Sequence, residues 1–445
     1  MTARISASRH AAGPAIIVGA LLIVAGGAYS QPSERPAGHP AAQPVPRPAG
    51  QPVLQSGWSL PVPAGTTIHE IEPTSVAARS RQRIRLIPDL VIKERGDDLN
   101  YVFGTRAPSV DVDADGNIYV AEPMPRTGRV LVFDADGEFL RMIGRPGQGP
   151  GEYLQPFMVE WAGDTLFVFD PGQSRLTRWN AAGELLGGHR SDLVRTFRAI
   201  RGMADGSLVG TRRVSAPSGG FDSGFLAVLR VDPDINEQVE LVQVPWPARI
   251  VDPGFGEIAR TEPNVFYAGA TPPGVAVAAD GSVYVSTLDE YQVLAYEPDG
   301  TVRWALRSAW PRQPLDDGEV DWLMQFHNTR FPERRRSRIE WPDRQYALGD
   351  IKVDAHGRLY VFPYVPRGSG LDERPVDVYS PDGEQLFSGV MSGPLANLSW
   401  QTPPANGPML ARAWQAVAGD FIYGIAIGAD TDEWQVVRHR LSWPD

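Results

Sequence analysis

The sequence predicts an all-β fold, a six-bladed β-propeller with a short helical insertion between blades four and five. Three observations carry that prediction. The first is a repeated hairpin. Val110-Asp-Val-Asp-Ala-Asp-Gly-Asn-Ile-Tyr-Val120 returns with changes as Val275-Ala-Val-Ala-Ala-Asp-Gly-Ser-Val-Tyr-Val285 and as Ile351-Lys-Val-Asp-Ala-His-Gly-Arg-Leu-Tyr-Val361. Each copy alternates apolar and polar residues, breaks at a glycine-containing turn and alternates again, the period of two half-buried strands. The second is a companion hairpin after each copy, seen in Val130-Leu-Val-Phe-Asp-Ala-Asp-Gly-Glu-Phe-Leu140 and again around Gly300 and Gly383. The third is the spacing of the inner hairpins, which centre on Gly116, Gly163-Asp164, Gly206, Gly281, Gly357 and Gly419-Asp420. Four strands per unit at a long period is the pattern of a propeller blade.

In chain order, the first element is a secretory signal over residues 1–30. Arg4 and Arg9 precede the apolar run Ala15 to Ala25, and Ala28-Tyr-Ser30 supplies a small-residue cleavage site. The competing reading is an uncleaved anchor, since Ala11 to Tyr29 approaches the ~20 residues needed to span a bilayer. Either way the chain is expected to be exported, to a periplasmic or extracellular location, membrane-tethered if the segment stays. Residues 31–82 read as a Pro-rich disordered tether and lead-in. Between Gln31 and Pro63 there are nine prolines and almost no bulky apolar residue, too little to offset the entropy of ordering. The propeller occupies 83–445. Blade six has only one clear strand after its hairpin, Gln435 to Leu441, so the unpaired strand Arg83 to Lys93 is expected beside it, closing the ring with both chain ends and hiding a sheet edge.

The connection between blades one and two carries a resemblance. Ile143-Gly-Arg-Pro-Gly-Gln-Gly-Pro-Gly-Glu-Tyr-Leu-Gln-Pro156, with Gly116-Asn-Ile-Tyr-Val-Ala-Glu122 before it, closely resembles the NHL-repeat signature. From about Arg83 to Leu441 the chain looks like an NHL-like propeller of the exported bacterial kind grouped with TolB-like propellers. Blades three and six depart from the consensus. The resemblance implies a fold and is silent on ligand, because propellers host enzymes, binders and scaffolds alike.

Composition narrows the function classes. The chain has no cysteine, which removes disulfides, thiolate metal sites and cysteine nucleophiles. The formal charge of -11, with no large basic cluster, argues against nucleic acid. Of 42 basic residues only Lys93 and Lys352 are lysine, a codon bias without functional weight. The histidines show no ligand spacing, and no Gly-x-Ser-x-Gly elbow proposes a serine hydrolase.

Four constellations suggest chemistry, and each has a structural rival. Asp111 to Glu122 matches an EF-hand calcium loop in its acids and Gly116, yet both flanks alternate as strands where helices are required. A looser calcium site at Asp111 and Asp113 is the residual possibility, and no other cofactor is expected. Gly144 to Gly151, with four glycines in eight residues, could cradle a phosphate or simply turn tightly between blades. Acids recur just after second strands, at Glu122, Asp170, Asp289 and Asp430. They could converge at a channel mouth, as metal and base do in sugar-lactone hydrolases on six-bladed propellers, or could cap loop backbone. Finally, the insertion 310–349 opens with a capping box at Asp316 and Glu319 and places Val320, Leu323, Met324 and His327 on one helical face beside Trp322 and Phe326. The run Arg334, Arg335, Arg336, Ser337, Arg338 follows. An amphipathic helix could simply pack over the ring, but aromatic and arginine side chains dominate interface energetics and tip the reading toward a contact surface. The reading adopted is a monomeric, non-catalytic binding or scaffold propeller for a peptide, protein or glycan. Its rival is a lactonase-like, metal-assisted hydrolase or lyase.

Overall fold

In the computed structural model, residues 59–444 are described apart from several stretches, chief among them 104–108, 123–127, 216–223, 247–265, 268–273, 319–338, 366–372, 394–409 and 428–432. The signal segment, most of the tether, Asp316, Glu319, Trp322, Phe326, Arg334, Arg335, Arg336 and Asp430 lie outside the described residues.

Among the described residues the strands fall into antiparallel quartets, numbered here along the chain. Quartet one runs Ser109–Val112, Ile118–Glu122, Arg129–Phe133, Phe139–Ile143, and quartet two Met158–Ala162, Thr165–Asp170, Arg175–Trp179, Leu185–Arg190. Quartet three runs Phe197–Gly202, Leu208–Ser215, Gly224–Val231, Gln238–Trp246, and quartet four Gly274–Val277, Val283–Ser286, Tyr291–Tyr296, Val302–Ser308. Quartet five runs Leu348–Val353, Leu359–Pro363, Glu373–Tyr379, Gln385–Ser392. Quartet six joins Leu410–Ala418, Phe421–Ile427 and Trp434–Ser442 to Arg83–Lys93, whose register sets Leu86 opposite Leu441 and Ile92 opposite Val436. That strand also reaches sideways, with Arg83–Arg85 parallel to Val390–Ser392 of quartet five.

Sheets with two apolar faces must be covered on both, and here each quartet is covered by its neighbours. Tyr119, Val132 and Ile143 of quartet one pack with Val159, Leu166 and Val168 of quartet two. Equivalent clusters lie between two and three, three and four, four and five, and five and six. Val110, Leu131 and Phe133 meet Tyr423, Ile425 and Val436 between quartets six and one. First strands pack side by side in the order six, one, two, three, and again between four and five. They come close enough that a Cβ on Gly202 would stand 1.8 Å from the Trp161 carbonyl oxygen.

The repeated Asp-x-x-Gly turn has a chemical reason. Asp113 accepts the N–H groups of Asp115 and Asn117 at 3.0 and 2.8 Å and the Tyr119 hydroxyl at 3.0 Å, while Gly116 turns the chain at φ 84°. Asp354 and Tyr360 repeat the arrangement at 2.9 Å. The aspartate thus closes the hairpin and satisfies a phenol that would otherwise be buried without a partner.

Two expectations are corrected. Residues 59–63, read as tether, are docked. The Leu60 side chain is buried, and its N–H and C=O bond the Gln292 amide at 2.7 and 3.1 Å. The lead-in then adds Thr67–Ile71 in parallel to Val302–Ser308 and forms the short helix Val76–Arg79. The insertion also ends slightly early, because the first strand of quartet five begins at Leu348. Before that, Phe266–Tyr267 pairs with Ile339–Glu340 in parallel. Among the described residues no helix is long and apolar enough to cross a membrane.

Candidate functional site

Of the acids singled out after second strands, Glu122 and Asp170 are held by local partners. Glu122, buried at the end of its strand, lies 2.6 Å from the Arg129 guanidinium at the start of the next. Asp170, also buried, accepts the N–H groups of Leu154, Gln155 and Gln173 at 2.7, 3.2 and 3.2 Å and the Gln173 amide at 3.0 Å. Asp289 is buried on the same edge of quartet four. Among the described residues no three His, Cys, Asp or Glu side chains are placed to hold a metal ion together.

The glycine-rich connection carries its own anion. The Glu152 carboxylate takes the Gly149 N–H at 2.8 Å and the Arg145 guanidinium at 2.8 and 2.9 Å, which holds its pKa below the usual carboxylate range, the backbone bond first. Gln173 and Arg175 bind the carbonyls of Gly147, Gln148, Gly149 and Glu152 from the next quartet. The loop fastens blade to blade, with a carboxylate where a phosphate cradle would need a free amide.

The EF-hand reading meets the same difficulty. Its would-be ligands point to three different tasks: Asp113 closes the hairpin, Glu122 pairs with Arg129, and Asp111 accepts the Trp161 N–H at 2.6 Å. A chelator is therefore expected to leave the melting temperature nearly unchanged. A site saturated at about 100 times its dissociation constant would contribute ~2.7 kcal/mol and move it visibly, reviving Asp111, Asp113 and Glu122 as ligands.

The arrangement that sequence reading missed lies on the first strands, where they pack side by side. Asp111 of quartet one holds the Trp161 N–H of quartet two. Glu160 of quartet two holds the Gly202 N–H of quartet three at 3.0 Å, and Gln415 of quartet six holds the Val110 N–H of quartet one at 2.8 Å. Each side chain binds the backbone of the next first strand. Arg201 of quartet three lies 3.2 Å from Glu160 and donates at 3.4 Å to the carbonyl of Trp414 in quartet six, bridging two quartets that are not neighbours. The signal was present: Asp111, Glu160, Arg201 and Lys352 occupy the same position in the first strands of quartets one, two, three and five, one or two residues before the hairpin.

Glu160 is buried, and this raises its carboxyl well above the ordinary range; Arg201 opposes the shift and the charge of Asp111 reinforces it. Asp111 is raised as well, chiefly by burial, against the Trp161 N–H and Arg201. A carboxyl raised on folding contributes stability below its unfolded pKa and loses it as pH rises through the folded value. Glu160→Gln, neutral at every pH, is therefore expected to gain stability relative to the parent between about pH 5 and about pH 9 in urea titrations. A pH-independent difference between the two proteins would refute the raised carboxyl.

A family model described as a 6-bladed beta-propeller, DUF5128, matches residues 110–202, which hold quartets one and two and the start of three. No curated protein matches the chain. Among solved structures, a candidate exported protein from Bacteroides fragilis is 11% identical, covering 85% of this chain and 100% of its own at a TM-score of 0.45. A DUF4221-family member from Bacteroides vulgatus is 13% identical, covering 82% and 100% at 0.47. A gluconolactonase from Xanthomonas campestris is 13% identical, covering 80% and 97% at 0.35. The successive antiparallel quartets and the match over residues 110–202 make this an all-β protein of the propeller type.

Proposed function

We propose that the chain is an exported, six-bladed, NHL-like propeller that works as a non-catalytic binding or scaffold module. Its partner is a peptide, protein or glycan, met at the channel mouth and on the insertion. One observation carries this reading: Asp170 accepts four N–H bonds and Glu122 is held by Arg129, so these rim acids serve the scaffold. An enzyme of the lactonase-like class would need such carboxylates directed at substrate or metal. The unique segment 310–349 concentrates aromatic and arginine side chains at Trp322, Phe326, Arg334, Arg335 and Arg336 outside the repeated strands. The direct experiment uses the chain as bait against the exported fraction of its own cells. Trp322→Ala is expected to weaken capture by ~2 kcal/mol or more with an unchanged melting temperature. If that variant unfolds, the aromatic belongs to a core and the contact role fails.

The rival reading, a metal-assisted hydrolase or lyase, is favoured by one feature, the raised carboxyls of Asp111 and Glu160, a common mark of acid–base sites. Turnover of a lactone panel with added divalent cation, lost in Glu160→Gln, would establish it over the binding module.

A further inference from the structure

Two non-glycine residues among those described have left-handed backbone, Ser174 at φ 52° and Trp414 at φ 56°. Ser174 lies in a tight turn, but Trp414 interrupts a strand, where a bulky side chain with positive φ is strained and needs something to hold it. The pairing of Leu410–Ala418 with Phe421–Ile427 slips between Arg412 and Ala416, so Trp414 sits in a bulge on the first strand of quartet six. Its indole is buried against Tyr360 and Phe362, with ring centroids at 5.0 and 6.2 Å, and its Nε1 has no hydrogen-bond partner among the described residues. Its carbonyl accepts the Arg201 guanidinium from across the ring.

Arg201 itself is 43% exposed and is held at its other nitrogen by Glu160. Among the described residues, these groups surround the contact. Asp111 and Glu160 come from quartets one and two, with Asp113 behind Asp111; quartet six presents the Trp414 carbonyl and the Gln415 amide. Quartet four places neutral Ala276 at the equivalent position. In quartet five, Lys352 is paired with Asp350 at 2.9 Å. Of these, Glu160 is the carboxylate at ion-pair distance from Arg201, with Asp111 acting on it at longer range, so a neutral Glu160 removes that ion pair.

We propose that Arg201 and Trp414 form a two-position latch across the ring: the charge on Glu160 holds Arg201 against the Trp414 carbonyl, and loss of that charge lets the bulge straighten. Protonation supplies one state and ionisation the other, so the inner face of quartet six responds to acidification. This device is independent of whether the propeller binds a partner or turns over a substrate.

The test is fluorine NMR of the full chain labelled with fluorotryptophan, the Trp414 signal being assigned by its loss in Trp414→Phe. In the parent, that signal is expected to shift or split as pH is lowered through the titration of Glu160. Glu160→Gln and Arg201→Ala are each expected to show the acid-side signal at alkaline pH, with the remaining tryptophan signals in place as evidence of an intact fold. If Arg201→Ala is misfolded, the nearly isosteric Glu160→Gln decides alone. A Trp414 signal that ignores pH in the parent, or that in Glu160→Gln coincides with the alkaline parent, overturns the latch.

Discussion

Arg79→Ala is expected to destabilise the propeller by about 3–5 kcal/mol, the cost of leaving a buried charge without its partner. Arg79 comes from the short helix ahead of the ring and meets Asp377 of quartet five through both nitrogens, each contact at 2.8 Å, with side chains only 4% and 1% exposed. Asp377 also accepts the Tyr291 hydroxyl at 2.6 Å, Tyr291 lies 2.8 Å from the Tyr379 hydroxyl, and the guanidinium stacks 5.0 Å over Trp310. Removing Arg79 strands a carboxylate among phenols. The denaturation midpoint in urea reads the loss. Adding Asp377→Asn to Arg79→Ala should recover much of it, because the penalty belongs chiefly to the orphaned charge and the two changes are coupled. A single-variant loss below about 1 kcal/mol would mean that water reaches Asp377, and would put the pair in the class of exposed bridges.

What could be seen in the sequence divides by distance along the chain. The hairpins were legible because their causes are local: alternation sets the faces, Asp113 caps its own turn four residues back from Asn117, and Gly116 supplies the positive φ. The final blade strand was legible because Arg83–Lys93 alternates and has no neighbour to pair with. The docked lead-in was not, since its composition is that of a tether and the side chains that pin it are distant in sequence, among them Gln292 at Leu60 and Asp377 at Arg79, more than 230 residues away. The axial layer was missed for the same reason. Asp111 looks like a calcium ligand when read with Asp113 and Asp115, and becomes a blade-to-blade fastener only beside the Trp161 N–H. Aligning the repeats would have shown Asp111, Glu160, Arg201 and Lys352 in one column, a charged position on the strands that pack side by side. Asp170 was readable as either ligand or cap, and its four N–H partners decide for the cap.

Deleting residues 83–93 is expected to abolish cooperative folding, the largest effect predicted. The strand buries Ile84, Leu86 and Ile92, each contributing about 1.5–3 kcal/mol by transfer from water, and the sum alone rivals the net stability of an ordinary domain. Its loss also exposes the whole edge of Trp434–Ser442, and with it a row of unpaired N–H and C=O groups that invites association. The ring makes the damage general, because the cluster between quartets six and one, built on Ile92, Tyr423 and Val436, is the contact through which the last sheet holds the first. Deleting 59–71 is the informative contrast. It removes one buried leucine and an exposed outer strand parallel to Val302–Ser308, and is expected to lower the midpoint while leaving a single cooperative transition. Both deletions are read by urea denaturation followed by circular dichroism and by size-exclusion profile. A cooperative, monodisperse protein lacking 83–93 would show that the seam between quartets six and one holds without its outer strand, and the closure of the ring would then have to be assigned to the first strands alone.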